Sequence, residues 1–212
     1  ILDGGDTDVD VIADGLRLVS GGNIGSATES LDTTINVLSA TAGGLISVDE
    51  TAAVVIDAVT VTISRVSDTG EVADVVDAAQ SDLTAVGAIL LSSTAGDITI
   101  NDGDTDGLGL SSGGVTRVIA ESGSVLINSG VKATNAISIS AADDVTQAAA
   151  GDITSTSGTI DVLAVSGAIS MNDGAVTATT DKDIRLVAGT DVTLGSLTAG
   201  TGSVSVIAGE SI

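Results

Sequence analysis

The stretch Thr159-Ile160-Asp161-Val162-Leu163-Ala164 carries the pattern that decides the fold of this chain. Apolar residues occupy alternate positions and a small residue closes the segment, as expected for a short strand with one buried face. The intervals between copies of this pattern, 19 to 28 residues, are typical of a solenoid in which each repeat forms one coil. The copies begin at nine positions, which are Leu16, Ile35, Val61, Ile89, Thr116, Ile137, Ile160, Ile184 and Val204.

Two more short apolar segments follow each copy before the next one begins. The first begins 8 to 11 residues after the copy and the second another 5 to 11 residues later. We call the opening pattern face A and the two segments that follow it faces B and C. The sequence predicts an all-β fold, a parallel β-helix (β-solenoid) of about nine coils with three short strands per coil. Parallel crossovers favour a right-handed coil. We expect residues 1–212 to form one continuous segment of a longer repetitive chain, because the pattern starts and stops within a coil.

The composition fits a thin aliphatic core and offers little for catalysis. The 212 residues include no aromatic residue, Pro, Cys or His, one Met and 27 Gly. Without His, Cys or Tyr, the usual general bases and nucleophiles are missing, and we predict that the chain is not an enzyme. A polysaccharide-active enzyme is the least favoured alternative, because such sites use sugar-stacking aromatics or clustered bases.

The charge balance excludes two classes of partner. The net charge is −23, from 29 acidic and 6 basic residues. Phosphate binding needs clustered Lys and Arg, so the sequence predicts no nucleic-acid partner. The apolar runs are only a few residues long, so we predict no membrane insertion.

Two acidic loops are candidate calcium sites, and no other cofactor is predicted. Residues 101–107 read Asn-Asp-Gly-Asp-Thr-Asp-Gly, which contains the D-x-D-x-D-G half of an EF-hand loop. The bidentate Glu expected at position 113 is replaced by Gly113, so a plain acidic turn is the competing interpretation. The candidate ligands are Asp102, Asp104 and Asp106, with a near copy at Asp3, Asp6 and Asp8.

Large aliphatic residues occupy the fourth position in six of the nine face A strands, where strict alternation predicts exposure. One interpretation is a bend that turns this position into the core. The other is a lateral contact surface, because contiguous exposed apolar stripes often mark interfaces. Its predicted apolar members are Val19, Leu38, Ile119, Leu163, Val187 and Ile207, and Arg17, Arg117 and Arg185 occupy the second position beside them.

Several segments resemble the repeat shafts of filamentous-haemagglutinin-like giant bacterial surface adhesins. They are Gly-Asp-Ile-Thr at 96–99 and 151–154, Gly-Ser-Val-Ser-Val at 202–206, and the run from Thr190 to Gly200. The resemblance implies a secreted, extracellular or cell-surface β-helix that displays or spaces adhesive regions and contributes to biofilm or cell contact. It implies host or matrix surfaces as partners.

We therefore expect a structural shaft of a secreted adhesin or extracellular matrix fibre. Its partners would be copies of itself or neighbouring solenoid segments. The alternative is a self-assembling filament subunit that stacks end to end and bundles through face A.

Overall fold

A computed structural model describes residues 1–6 and 8–212, and this part of the chain contains 25 strands and no helix. The strands form two long parallel sheets that share one interior, with a separate two-stranded hairpin outside them. The predicted all-β solenoid of about nine coils is confirmed. Among the described residues, no helical segment could cross a lipid bilayer.

The first sheet, sheet A, contains nine parallel strands stacked along the rod. Ile160 lies beside Ile137 on one side and Ile184 on the other, and the same register continues from strand to strand. The alternation is therefore kept in every coil, and apolar side chains form continuous columns inside. In spatial order the strands are β1 (Val11–Ile12), β3 (Leu31–Thr34), β5 (Ile46–Glu50), β10 (Ile89–Ser93), β13 (Thr116–Ala120), β16 (Ile137–Ala141), β19 (Ile160–Ala164), β22 (Ile184–Ala188) and β25 (Val204–Ala208).

The second sheet, sheet BC, holds both remaining faces of each coil. Its strand β4 (Val37–Ala42) joins the two halves, pairing with β6 through Val37 and Leu38 and with β9 through residues 40–42. β2 (Gly15–Ser20) pairs along the other edge of β4. The remaining order, with β4 between β6 and β9, is β23 (Val192–Thr193), β20 (Ile169–Met171), β17 (Val145–Gln147), β14 (Val125–Ile127), β11 (Ile98–Ile100), β6 (Val54–Ile56), β9 (Leu83–Ala85), β12 (Leu108–Ser112), β15 (Gly130–Ala133), β18 (Ile153–Ser155), β21 (Val176–Thr179) and β24 (Ser196–Thr198).

The predicted face A strands are confirmed in the later coils, and the three earliest are wrong. Leu16 lies in β2, and the predicted strand that begins at Ile35 overlaps β4. Both strands belong to sheet BC, and Val61 lies outside both long sheets. In the first two coils a single six-residue strand covers both faces B and C, so these coils have two sides rather than three. The confirmed strands begin at Ile89, Thr116, Ile137, Ile160, Ile184 and Val204.

The third sheet is an antiparallel hairpin inserted into the third coil. β7 (Val59–Val66) and β8 (Val72–Gln80) pair with each other, and Gly70 turns the chain between them with a φ of 83°. The insertion separates β6 from β9, which in the next coil correspond to β11 and β12. It explains why the repeat interval is longest around this point.

The core is made of Val, Ile, Leu and Ala, as the composition predicts. At the last interior position of each sheet A strand the core narrows toward a corner. In the later coils this position is a buried alanine that is at most 4% exposed, at Ala120, Ala141, Ala164 and Ala188. In the third coil the same position is Glu50, which is fully buried. A carboxylate in this position needs hydrogen bonds to replace water, and the turn around it supplies them.

Candidate functional site

The acidic loop of residues 101–107 connects β11 to β12 at the corner between faces B and C. Ligand oxygens of Asp82, Asp102, Asp104 and Asp106 all lie within 4.8 Å of one another. Among the described residues this is the one group of three or more potential metal ligands so close together. The structure therefore brings the three predicted carboxylates of this loop together and adds a fourth, from the residue before β9.

Asp102 organises the backbone of the loop. Its Oδ1 accepts the backbone N–H groups of Asp104 at 3.2 Å and Thr105 at 2.6 Å, and its Oδ2 accepts that of Gly107 at 2.9 Å. Desolvation raises the pKa of Asp102, but the hydrogen bonds from Gly107, Thr105 and their neighbours outweigh it and hold the pKa below its usual range. Thr105 has a φ of 77°, which the bonds to Asp102 help to hold.

Asp82 is the member of the cluster that the sequence interpretation missed. It is 6% exposed and has a φ of 62°, and its Oδ1 accepts the backbone N–H of Gly103 at 3.0 Å. Burial raises the pKa of Asp82, the charges of Asp104 and Asp106 raise it further, and hydrogen bonds from Gly103 and Ser81 lower it only partly. This carboxylate is costly to keep ionised where it lies.

The four carboxylates could hold a hard divalent cation. Calcium takes six to eight oxygen ligands, and carboxylates are the usual source. Asp82 would supply the further carboxylate that the loop lacks at Gly113. Burial and then the charges of Asp104 and Asp106 raise the pKa of Asp82, and a cation would offset those charges.

The second predicted loop is not assembled in this way. Oδ2 of Asp3 accepts the backbone N–H of Gly5 at 2.9 Å, and Oδ1 of Asp6 accepts that of Asp8 at 3.0 Å. These are local turn contacts, and within the described residues Asp3, Asp6 and Asp8 do not form a ligand group.

The acidic loop also contacts both ends of the hairpin insertion. The Ser81 hydroxyl, just after β8, donates a 2.8 Å hydrogen bond to Oδ2 of Asp104. The Asn101 side-chain amide donates a 3.0 Å hydrogen bond to Oδ2 of Asp57, just before β7. The cluster therefore lies at the root of the hairpin, where the chain leaves the solenoid and returns.

On sheet A, the predicted aliphatic column lies on the outer surface in the later coils. Ile119, Leu163 and Val187 are each half-buried, while the residues on both sides of them in the strand are buried. Ile207, in the last strand, is 49% exposed. Leu163 lies beside Val187, and Val187 beside Ile207, so these three side chains form a continuous outer stripe. Ser140 lies between Leu163 and Ile119, which is one strand further along. We call Ile119, Leu163, Val187 and Ile207 the lateral stripe.

Three residues predicted for this surface lie elsewhere. Leu38 is fully buried in the core, in β4. Val19 and Arg17 belong to β2 in sheet BC, where Val19 is exposed and pairs with Thr41. The reason is that alternation repeats identically on every face, so the pattern does not distinguish face A from the other faces in the first two coils.

In the early coils the outer column carries acids instead of aliphatics. Asp32 lies beside Asp49 in the stack, and the Asp10 carboxylate accepts the backbone N–H of Asp32 at 3.1 Å. Burial raises the pKa of Asp32, and the charges of Asp49, Asp3 and Asp10 raise it further. The outer face of sheet A is therefore acidic at one end and aliphatic at the other.

The arginines predicted beside the column lie on the aliphatic end in two of three cases. Arg185 pairs with Asp161 of the preceding coil, with 3.0 Å between Nη1 and Oδ1. Arg117 is exposed and makes no salt bridge to any described residue. Arg17 instead donates from Nε to the carbonyl of Ala78 in the hairpin at 3.1 Å.

No protein-family model, curated protein or solved structure matches this chain.

Proposed function

We propose that the chain is a non-catalytic structural shaft segment of a secreted bacterial adhesin or extracellular matrix fibre at the cell surface. The in-register stacking of sheet A supports this role, because a solenoid extends in one dimension and presents long faces for contact. The adhesin-like segments at 96–99, 151–154 and 190–200 support the same assignment. Such a shaft spaces adhesive regions from the cell and contributes to contact with a host or matrix surface.

The lateral stripe is the surface through which this shaft packs against another solenoid, either a second copy or a neighbouring segment of the parent chain. The single observation that carries this step is the continuity of three aliphatic side chains, Leu163, Val187 and Ile207, on an outer face of a highly charged protein. Burying them removes apolar area from water at about 25 cal/mol per Å². Arg117, beside the stripe, is available to pair with an acid of the neighbouring solenoid.

The test is a paired substitution in the stripe. Leu163→Asp/Val187→Asp places two carboxylates on the outer surface, so we expect the solenoid to stay folded and the association through the lateral stripe to be lost. Thr154→Asp/Ala178→Asp is the matched control, since these neighbouring, half-buried residues make the same stack on the outside of sheet BC. Sedimentation velocity measures association, and far-ultraviolet circular dichroism measures folding.

Equal association of both variants would overturn the lateral contact. Unfolding of the stripe variant alone would show that the stripe contributes to the core. Open-ended filaments in negative-stain microscopy, unaffected by either pair, would support the alternative of a subunit that stacks end to end.

We also propose that the cluster of Asp82, Asp102, Asp104 and Asp106 binds calcium and holds the acidic loop against the hairpin root. Four oxygen donors within 4.8 Å and the buried, repelled carboxylate of Asp82 support this site. Its test is whether calcium raises the melting temperature of the protein and whether Asp82→Asn removes most of that rise.

A further inference from the structure

The β7–β8 hairpin concentrates exposed apolar side chains outside the solenoid. Ile63, Val66, Val72 and Val76 are between 52% and 66% exposed. A solvent-facing loop in a chain with 29 acids would ordinarily be polar. This segment instead has the β-branched composition of a strand inside a larger sheet.

The hairpin is attached to the solenoid at its base and is free beyond it. The Gln80 side-chain amide donates to the Leu18 carbonyl at 2.9 Å, and Arg17 donates to the Ala78 carbonyl. From Thr62 to Val66 every residue is exposed. In the described part of the chain β7 and β8 pair only with each other. A two-stranded sheet is marginally stable in water, and additional strands stabilise it.

The two edges of the hairpin differ in protection. β8 carries Asp74 and Asp77, and charged residues on an edge strand oppose pairing with another strand. β7 reads Val-Thr-Val-Thr-Ile-Ser-Arg-Val, with one charged residue, Arg65 near its end, and no acid, Gly or Pro. The β7 edge is therefore open to pairing with another strand, whereas the acids on β8 oppose pairing along its edge.

We propose that β7 pairs antiparallel with β7 of a second copy of this chain, with Ile63 opposite Ile63 on the two-fold axis. The result is one four-stranded sheet in the order β8, β7, β7, β8. Pairing through β8 would bring Asp74 and Asp77 of the two copies together, so charge favours β7 as the shared edge.

This register also creates a charge-complementary contact. Arg65 lies opposite Val61 of the second copy, and Val61 is paired with Asp77 in its own hairpin. Arg65 and that Asp77 are then on the same face, two strand spacings or about 10 Å apart at the backbone, within reach of an extended arginine. Within one hairpin the two residues lie four positions apart along the ladder, about 13 Å, and no salt bridge joins them.

Single-cysteine crosslinking tests the register, because the chain has no native cysteine. In the Leu163→Asp/Val187→Asp background, which silences the lateral stripe, Ile63→Cys should give a disulfide-linked dimer on oxidation. Directly opposed residues in an antiparallel pair have Cα atoms about 5 Å apart, which suits a disulfide. Val66→Cys is the control: it is at least as exposed, but the two copies of residue 66 would be about 20 Å apart.

A charge exchange tests the partner. Arg65→Asp and Asp77→Arg should each raise the dimer dissociation constant in sedimentation equilibrium about tenfold, since two contacts per dimer are lost. The double variant should restore it. Equal crosslinking at positions 63 and 66, no dimer of the unsubstituted hairpin, or no recovery in the double variant would overturn the proposal. Loss of association in the stripe variant alone bears on the lateral stripe and not on the hairpin.

Discussion

Glu50 and Ile35 are joined across adjacent coils by a buried hydrogen bond. The backbone N–H of Ile35 lies 3.1 Å from both carboxylate oxygens of Glu50, inside the corner that alanine fills in later coils. The same carboxylate accepts the Thr33 hydroxyl at 2.6 Å and the backbone N–H of Ala52 at 3.1 Å. Glu50 thus provides the acceptor for backbone N–H groups in two adjacent coils.

Glu50→Ala should lower the free energy of unfolding by about 3 kcal/mol, because the buried backbone N–H of Ile35 and the partly buried one of Ala52 lose their acceptor. The measurement is the urea midpoint followed by circular dichroism. Exposed Glu121→Ala is the control and should change stability by less than about 0.5 kcal/mol. A similar small change for both variants would mean that water replaces the carboxylate.

Gly25→Ala should destabilise the second coil strongly. Gly25 has a φ of 65°, and a Cβ there would collide with the backbone carbonyl of Ser47 in the next coil. We expect a loss of at least about 3 kcal/mol, which combines backbone strain with a steric clash that the stack cannot relax. Gly70→Ala is the control, since its φ is 83° but a Cβ would meet open space, and it should cost only about 1 kcal/mol. Equal losses of stability in thermal unfolding would show that the neighbouring coil shifts to accommodate the Cβ.

Calcium should raise the melting temperature through the acidic cluster. At ten times the dissociation constant a single site adds about 1.4 kcal/mol, or a few degrees for a chain of this size. Asp82→Asn should abolish most of the rise, whereas Asp173→Asn, at an exposed acidic corner, should leave it unchanged. A rise that persists in Asp82→Asn would assign the effect to diffuse counter-ion binding.

Without calcium, Asp82 should make the protein less stable as pH rises. Its pKa is raised in the folded state, chiefly by burial and then by Asp104 and Asp106, above the ordinary aspartate value of about 4. The unfolded chain ionises first, so this group opposes folding increasingly as pH climbs from about 4 through the raised pKa. Asp82→Asn keeps an acceptor for Gly103 and removes the charge. It should therefore be more stable than the parent at pH 7 and about equal at pH 4, and equal stability at both would be inconsistent with a raised pKa.

The later coils could be predicted from sequence because each repeats one short pattern without interruption. Ile89 through Val204 lie where the alternation puts them. The first coils could not, because alternation identifies a buried face without saying which face it is. The longest intervals, around Val61, and the turn at Asp68-Thr69-Gly70 were the available signals of a hairpin.

The acidic site, too, could be predicted only in part from the sequence. Asp102, Asp104 and Asp106 form a local motif, and the structure brings them together. Asp82 lies 20 residues earlier, at the end of an insertion whose length hides the coil period. Only stacking shows that it faces the loop, since the register of Leu83 with Leu110 places it there.

The direction of the hydrogen bonds between coils determines how the solenoid unfolds under tension. They run along the rod axis, so tension on the two chain ends peels coils away one at a time instead of shearing many bonds together. Each released coil of about 20 to 27 residues lengthens the chain by roughly 70 to 90 Å when extended. A chain unwound in this way should lengthen in steps under load.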